Sequence, residues 1–233
     1  MRKLAFLLAV LLAAPVAALA GNMGDDFNDH YVPGKSNLKA YNRDLNGLIG
    51  MVDFNTGRAK MFPGVNLGAS VSVFKPSSEN NISHDSYTVL PFLIAETKIP
   101  VINVGVVARG TNANGYRSLG GGLTYQMSVV EVVNLSFGAF YDNGRTDYYK
   151  NDHYSASAIA STNVLIFTPY IGVGYDYGKI KTRGYSHNES ASNGTPRGMV
   201  GLNVNPLPLL TGFVAYTVTK DSHGFTGGVG LSF

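Results

Sequence analysis

The C-terminal stretch HGFTGGVGLSF, residues 223–233, decides the fold. One parity carries Phe225, Gly227, Val229, Leu231 and Phe233, and the other carries Thr226, Gly228, Gly230 and Ser232. Strict alternation is the period of a strand, so this segment has one apolar face and one small, polar face. The same pattern recurs upstream. In 99–110, Ile102, Val104, Val106 and Ala108 oppose Asn103, Gly105, Val107 and Arg109. In 116–127, Leu119, Leu123, Tyr125 and Met127 oppose Ser118, Gly120, Gly122, Thr124 and Gln126. In 129–141, Val133, Leu135, Phe137, Ala139 and Tyr141 oppose Asn134, Ser136 and Gly138, and in 168–179, Ile171, Val173, Tyr175 and Tyr177 oppose Gly172, Gly174, Asp176 and Gly178. Less regular alternation marks 64–74, 87–97, 154–163, 197–205 and 207–219. Ten segments of about ten residues suit tilted strands crossing a hydrocarbon layer.

Composition agrees with such a setting. Charged residues are 14% of the 233 and hydrophobic ones 45%, too few charges for an ordinary solvated surface and too much apolar mass for disorder. The absence of cysteine excludes disulfide scaffolds, thiolate metal sites and Cys nucleophiles. Arg2 and Lys3 precede the apolar run Leu4 to Leu12, and Ala18-Leu19-Ala20 supplies a small-x-small cleavage pattern, so residues 1–20 read as a secretory signal peptide. Loss of Arg2 and Lys3 leaves 16 basic against 15 acidic residues, a mature chain near +1 with no basic stripe for nucleic acid. Beyond Ala20 no apolar run is long enough for a spanning helix, and the remaining way to satisfy every backbone group in lipid is a closed barrel. The expected fold is all-β: a transmembrane antiparallel up-and-down barrel of about ten strands over 64–233.

The connections are expected to alternate. Links at 75–86, 110–115, 142–153, 180–196 and 220–222 are polar, while those near 98–100, 127–129, 166–167 and 205–208 are short. This is the bacterial pattern of long outer loops and short periplasmic turns, and an even strand number places both termini in the periplasm.

Ahead of the barrel, residues 21–63 form a periplasmic or lumenal segment in which the period changes. Leu38, Tyr41, Leu45, Leu48, Ile49 and Val52 step by three and four, with Lys39, Asn42, Arg43, Asp44 and Asn46 opposite. This predicts an amphipathic helix over 36–52, capped by Ser36. It either plugs the lumen against the glycine-rich inner face, including Gly120 and Gly122, or caps the periplasmic end from outside.

The C-terminal pattern of Phe225, Val229, Leu231 and terminal Phe233 resembles the assembly signal of Gram-negative outer-membrane β-barrel proteins. That resemblance implies an outer-membrane location, surrounding lipid, and recognition of Phe233 by the barrel assembly machinery. The order of leader, helix with Asn37-Leu38-Lys39-Ala40-Tyr41, then Asn55-Thr56-Gly57 and barrel is similar to an uncharacterised family of small barrels distantly like fatty-acid transporters. The long-chain transporters carry a larger barrel and an Asn-Pro-Ala hatch motif that is absent here, so hydrophobic transport does not carry over.

Four constellations hold the residue types of catalysis or metal binding. Asp221-Ser222-His223 matches the Asp-x-His half of omptin-type proteases, but the facing acidic pair is lacking, and Asp25-Asp26 is expected on the periplasmic side. His187 to Gly194 resembles the His-x-Ser-Asn-Gly of outer-membrane phospholipase with three extra residues before Ser192-Asn193-Gly194, which spoils the base-to-hydroxyl reach. His84-Asp85-Ser86 are adjacent, so their side chains diverge. Asp25, Asp26, Asp29 and His30, and separately Asp147, Asp152 and His153, offer hard ligands without a Ca2+-loop spacing. The sequons at Asn81, Asn134, Asn188 and Asn193 carry no meaning in a bacterial host.

The expectation is therefore a non-enzymatic outer-membrane barrel with no cofactor, metal or catalytic residues. Its role is structural or passive toward small solutes, with a plugged lumen, since water-filled channels appear at about 16 strands. The alternatives are a transporter of small hydrophobic molecules and an outer-membrane hydrolase acting on lipid or peptide.

Overall fold

The alternation resolves into ten antiparallel strands in a computed structural model that describes residues 22–54, 64–83, 87–99, 102–130 and 133–233. They are β1 (Asn66–Lys75), β2 (Thr88–Ile99), β3 (Val104–Ala113), β4 (Tyr116–Val130), β5 (Val133–Arg145), β6 (Tyr149–Thr162), β7 (Phe167–Thr182), β8 (Ser190–Leu207), β9 (Leu210–Thr219) and β10 (His223–Ser232). Each strand pairs with its sequence neighbours, and β1 pairs with β10 from Asn66 opposite Ser232 to Lys75 opposite His223, closing the barrel. Closure removes the free edges that an open sheet would present.

The apolar parity points outward. Leu93, Leu119, Leu123, Ile171, Val173, Val200 and Phe225 are each more than half exposed, while Ser72 and Thr226 are buried and joined across β1 and β10 at 3.0 Å. A soluble barrel would bury such a set, so the outer wall is built for an apolar surround.

Several connections read as loops are strand. Residues 110–113 belong to β3, and the β3–β4 link is the two-residue Asn114-Gly115, both at positive φ, 55° and 72°. That is the hairpin turn whose twist suits antiparallel strands and for which Asn-Gly is favoured. Residues 142–145 and 149–153 likewise extend β5 and β6, and 180–182 and 190–196 extend β7 and β8, which reach 16 and 18 residues. Beyond an apolar layer the outward face turns polar and the inward face mixes polar with apolar residues such as Tyr149 and Ile180, so the apolar-out alternation that betrays a strand breaks down there.

The predicted helix is present in shorter form, and a second one precedes it. Helix α1 (Met23–His30) is capped by Asn22, whose Oδ1 accepts from Gly24 N at 3.0 Å. Helix α2 (Leu38–Gly50) runs into a 3-10 turn, Met51–Phe54. Its cap is Asn37, accepting from Ala40 N at 3.0 Å, rather than Ser36, which binds the α1–α2 link through Val32 N. At two turns α1 is too short for a periodicity to register.

Helix α2 lies in the barrel interior, and α1 sits at the loop-end mouth with Met23, Gly24 and Phe27 buried. Eleven residues of α2 are buried, and Asn42 Nδ2 donates to Gly178 O of β7 at 2.9 Å. The aromatic and aliphatic core of the molecule lies here, with Phe27, Tyr41, Leu48 and Ile49 of the helices against Phe74, Leu90, Phe92, Tyr116, Tyr149 and Ile180 of the wall. The inner face is therefore not uniformly small and polar as the best strands suggest: near the loop end it supplies the apolar partners that the α2 stripe requires.

The path of this segment corrects the expected placement of the N-terminal end. Val65 N donates to Phe233 O at 3.3 Å, so the start of β1 and the C-terminus share the turn end. Met23 N, however, donates to Asn114 O at 2.7 Å, and Gly34 N to Glu189 at 2.7 Å, both at the opposite, loop end. The described chain thus starts at the loop-end mouth, descends as α2 inside the wall and reaches Asp53 before β1 begins at the turn end. It does not cap the barrel from beneath.

Candidate functional site

Six charged side chains meet where the 3-10 turn touches the wall, and they form a closed ring. Asp53 Oδ1 accepts from Arg109 Nη1 of β3 at 2.5 Å. Arg109 grips Asp142 of β5 with both Nε, 2.8 Å, and Nη2, 2.5 Å. Asp142 Oδ2 lies 3.0 Å from His153 Nδ1 of β6, whose Nε2 lies 3.0 Å from Asp176 Oδ1 of β7. Asp176 Oδ2 accepts from Arg197 Nε of β8 at 2.7 Å, and Arg197 Nη2 returns to Asp53 Oδ2. Negative and positive groups alternate around the circuit. All six side chains are at most 1% exposed.

The chemistry of the ring follows from its donors. Ionised carboxylates only accept, so an imidazole bridging two of them must carry a proton on each nitrogen. With His153 as imidazolium, three cations face three anions and the buried set is neutral. Burial by itself pushes the Asp53 carboxyl up; Arg197 and Arg109 outweigh it and hold the group below the ordinary carboxylate range. The Arg109 guanidinium also stacks over Phe140 at 4.5 Å from the ring centre, a favourable cation–π position. Charged groups buried this deeply are tolerable only when each is paired and hydrogen-bonded, and here each is.

Glycines make room for the contact. A Cβ at Gly50 would collide with the Asp176 carboxylate, and one at Gly178 with the Asn46 amide. Arg197 Nη1 also donates to Gly50 O, tying the end of α2 to β8. A void of about 10 Å³ beside the ring, lined by Val52, Asp53, Ile94, Glu96, Val107 and Arg109, is at the lower limit for one water.

A second polar cluster holds the start of α2 at the loop end. Asp44 accepts from Ser77 N at 2.8 Å, Asn80 Nδ2 at 2.8 Å and Ser222 Oγ at 2.9 Å. Arg43 reaches Glu79 at 3.1 Å and Asp221 at 3.2 Å. The β1–β2 and β9–β10 connections are thereby fastened to the helix.

Residues of the sequence constellations are drawn into these contacts and others along the wall. Asp221 and Ser222 bind Arg43 and Asp44, and His223 lies against the Tyr216 ring at 6.1 Å, so the three do not face a common point. Asn193 bonds α2 through Lys39 O at 3.0 Å and Asn42, so the segment from His187 to Gly194 builds wall and helix contacts. Asp152 accepts from Tyr141 and Asn143 on the outside while His153 points inward, as the alternation of β6 requires. Asp25 and Asp26 sit in the first turn of α1 at the loop end. Among the described residues no three His, Asp or Glu could share a metal ion. His84-Asp85-Ser86 and the leader 1–20 lie outside the described residues.

The ring itself escaped the sequence reading, although its signal was there. Arg109 and Asp176 stand on the inward parity of otherwise small, uncharged faces, and an isolated charge on a lumenal face calls for a partner. Asp142 and His153 were hidden because their segment reads as loop.

No protein-family model matches the chain, and no relative is found among curated proteins. Solved structures similar to it include the KdgM porin, at 11% identity over 72% of this chain and 99% of that one with a TM-score of 0.43. Others are the N-terminal β-barrel domain of Pseudomonas aeruginosa OprF, at 13% over 73% and 97% with a TM-score of 0.40, and Yersinia pestis Ail, at 16% over 73% and 97% with a TM-score of 0.36.

Proposed function

We propose that the protein is an outer-membrane barrel closed by its own N-terminal segment, with a structural or passive role rather than that of an open pore. The observation that carries this reading is the charge ring, which joins Asp53 of the segment to β3 and β8 and through them to β5, β6 and β7. A group that bridges opposite walls lies across the lumen. The exposed apolar wall supports the membrane setting, and the outward row Phe225, Val229 and Leu231 of β10 is the surface we propose the barrel assembly machinery reads. In this orientation the turn end and Phe233 face the periplasm, the loops face outward, and α1 lies at the outer mouth. The segment has then passed up through the barrel that it closes.

Conductance in planar bilayers tests the reading. The full mature chain is expected to insert with near-zero conductance, and deletion of residues 25–58 to produce a steady step. A full chain that conducts as freely as the deletion variant would overturn the closed lumen. Intact-cell labelling of Asp29→Cys with a membrane-impermeant maleimide tests the direction: reaction only after lysis would reverse the orientation.

A further inference from the structure

The outer wall carries a second charged feature that the ring and the lumen leave unused. Across β4 to β7 the register places Arg117 opposite Arg145, Arg145 opposite Lys150, and Lys150 opposite Lys181. All four are exposed and share the outward parity of Leu119 and Tyr141. Like charges directly opposite each other on adjacent strands destabilise a sheet. Among the described residues none of the four has an ion-pair partner.

Their height explains what could relieve the repulsion. Below them on the same face runs a row of Leu119, Asn143, Asp152 and Lys179, and below that Tyr141, Tyr154 and Tyr177, with Tyr141 and Tyr154 at 4.9 Å between ring centres. Lower still lie Leu123, Ala139, Ala156 and Tyr175, then Tyr125, Phe137, Ala158 and Val173. Rows are two residues apart, about 6.7 Å along the strand. Aromatic residues border the hydrocarbon of barrel proteins, so the cationic row stands two rows above that border, about 13 Å along the strand and at headgroup depth. β4 to β8 are the longest strands, which is why only this side reaches so high.

Above the row the wall opens into two adjoining clefts. One, of about 730 Å³, is lined by Arg117, Arg145 and Arg183 with Asn112, Asn114 and Asp147. The other, of about 390 Å³, has Lys150, Lys181, Arg183 and Asn188. Arg183 belongs to both, and Asp147 is the one carboxylate on either lining.

We infer that this row and its clefts bind the phosphate groups of an anionic lipid of the surrounding leaflet. The occupant is a lipid rather than a free anion because the cations stand on the outward face two rows above the aromatic border, where a headgroup is delivered by its own acyl chains. Bound phosphates would occupy the spaces between like charges and turn a repulsive row into an ordered one. The inference rests on the reading of the barrel as membrane-embedded.

The test uses the full mature chain in neutral detergent, with bis-phosphorylated lipid A as the probe. Binding is followed by native mass spectrometry and by the shift in melting temperature, and barrel integrity by heat-modifiable gel mobility. Replacing the row by Arg117→Gln, Arg145→Gln, Lys150→Gln and Lys181→Gln should weaken binding by up to about a thousandfold, at about 1 kcal/mol per cation. The lipid-free melting temperature should stay level or rise as the repulsion goes. The pair Arg117→Lys with Arg145→Lys should stay within about threefold of the original chain, because a row of point charges survives. Unchanged binding by the fourfold variant would overturn the inference, as would a melting shift reproduced by inorganic phosphate alone at equal concentration. Loss of heat-modifiable mobility in the original chain would instead strike the barrel reading, so the two failures are distinguishable.

Discussion

Asp53→Asn removes the single charge that the N-terminal segment contributes to the ring. The amide is nearly isosteric, but it replaces one accepting oxygen by an NH2 donor. That donor must face either Arg109 or Arg197, both donors themselves, at a position where Asp53 now accepts from each. The remaining set has three cations and two anions, all buried. Removing one partner of a buried ion pair costs about 3–5 kcal/mol because the partner's charge is left uncompensated. At about 1.4 kcal/mol per tenfold, the docking equilibrium of the segment should shift by at least a hundredfold, roughly, toward release. The wall should stand, since its hydrogen-bonded ladder does not pass through Asp53. Protease protection of residues 22–54 in the folded, heat-modifiable barrel reads the effect. Asp53→Asn should raise the cleavage rate by about that factor, and combining it with Arg197→Gln should cost less than the sum of the two single changes. Protection equal to that of the original chain within about 0.5 kcal/mol, the usual range for an inconsequential substitution, would refute the ring as the fastening.

Gly50→Val should have a similar outcome by a different route. Its side chain would enter the space of Asp176 and Arg197, an overpacking cost of about 1–3 kcal/mol or more that shows as intermittent conductance in planar bilayers. The ring also implies an acid limit. The Asp53 carboxyl is held below its unfolded value of about 3.9, so its contribution is complete above that pH and is lost as pH falls through the folded value. Protease protection should accordingly persist down to about pH 5 and decline below about pH 4. On the wall, Val229→Arg should cost roughly 2–4 kcal/mol in a urea titration in lipid vesicles if it lies near the bilayer midplane. Inward-facing Gly230→Ser should be nearly neutral, since a Cβ there meets only Leu67 O at 3.8 Å. Gly228 would be a misleading control, because a Cβ there collides with the Phe213 ring.

What was legible in the sequence divides along one physical line. Where a strand crosses an apolar layer, one face must be apolar and the other need not be, so 116–127, 168–179 and 223–233 announce themselves by parity alone. Past that layer the outward face turns polar while the inward face mixes polar residues with Tyr149 and Ile180; the ends of β5, β6, β7 and β8 therefore read as loops, and Asp142 and His153 with them. The α2 stripe was legible because Leu45, Leu48 and Ile49 need an apolar partner, but which wall supplied it was not. Tyr116, Tyr149 and Ile180 face inward near the loop end, in segments whose alternation is weak. The ring required both missing pieces, the inward parity of extended strands and the path of the N-terminal segment. No local pattern encodes a contact between residues 53 and 197.

The most direct measurement of the docked segment uses the absence of cysteine from the chain. Asn46→Cys on α2 and Gly178→Cys on β7 place two thiols where the Asn46 side chain lies against Gly178, within the short Cβ separation that a disulfide requires. In the membrane-inserted, heat-modifiable protein, oxidation should join the pair almost completely, and the Asp53→Asn background should slow the reaction. Free thiols after oxidation of a folded, inserted barrel would contradict the account, because α2 would then not lie inside the wall.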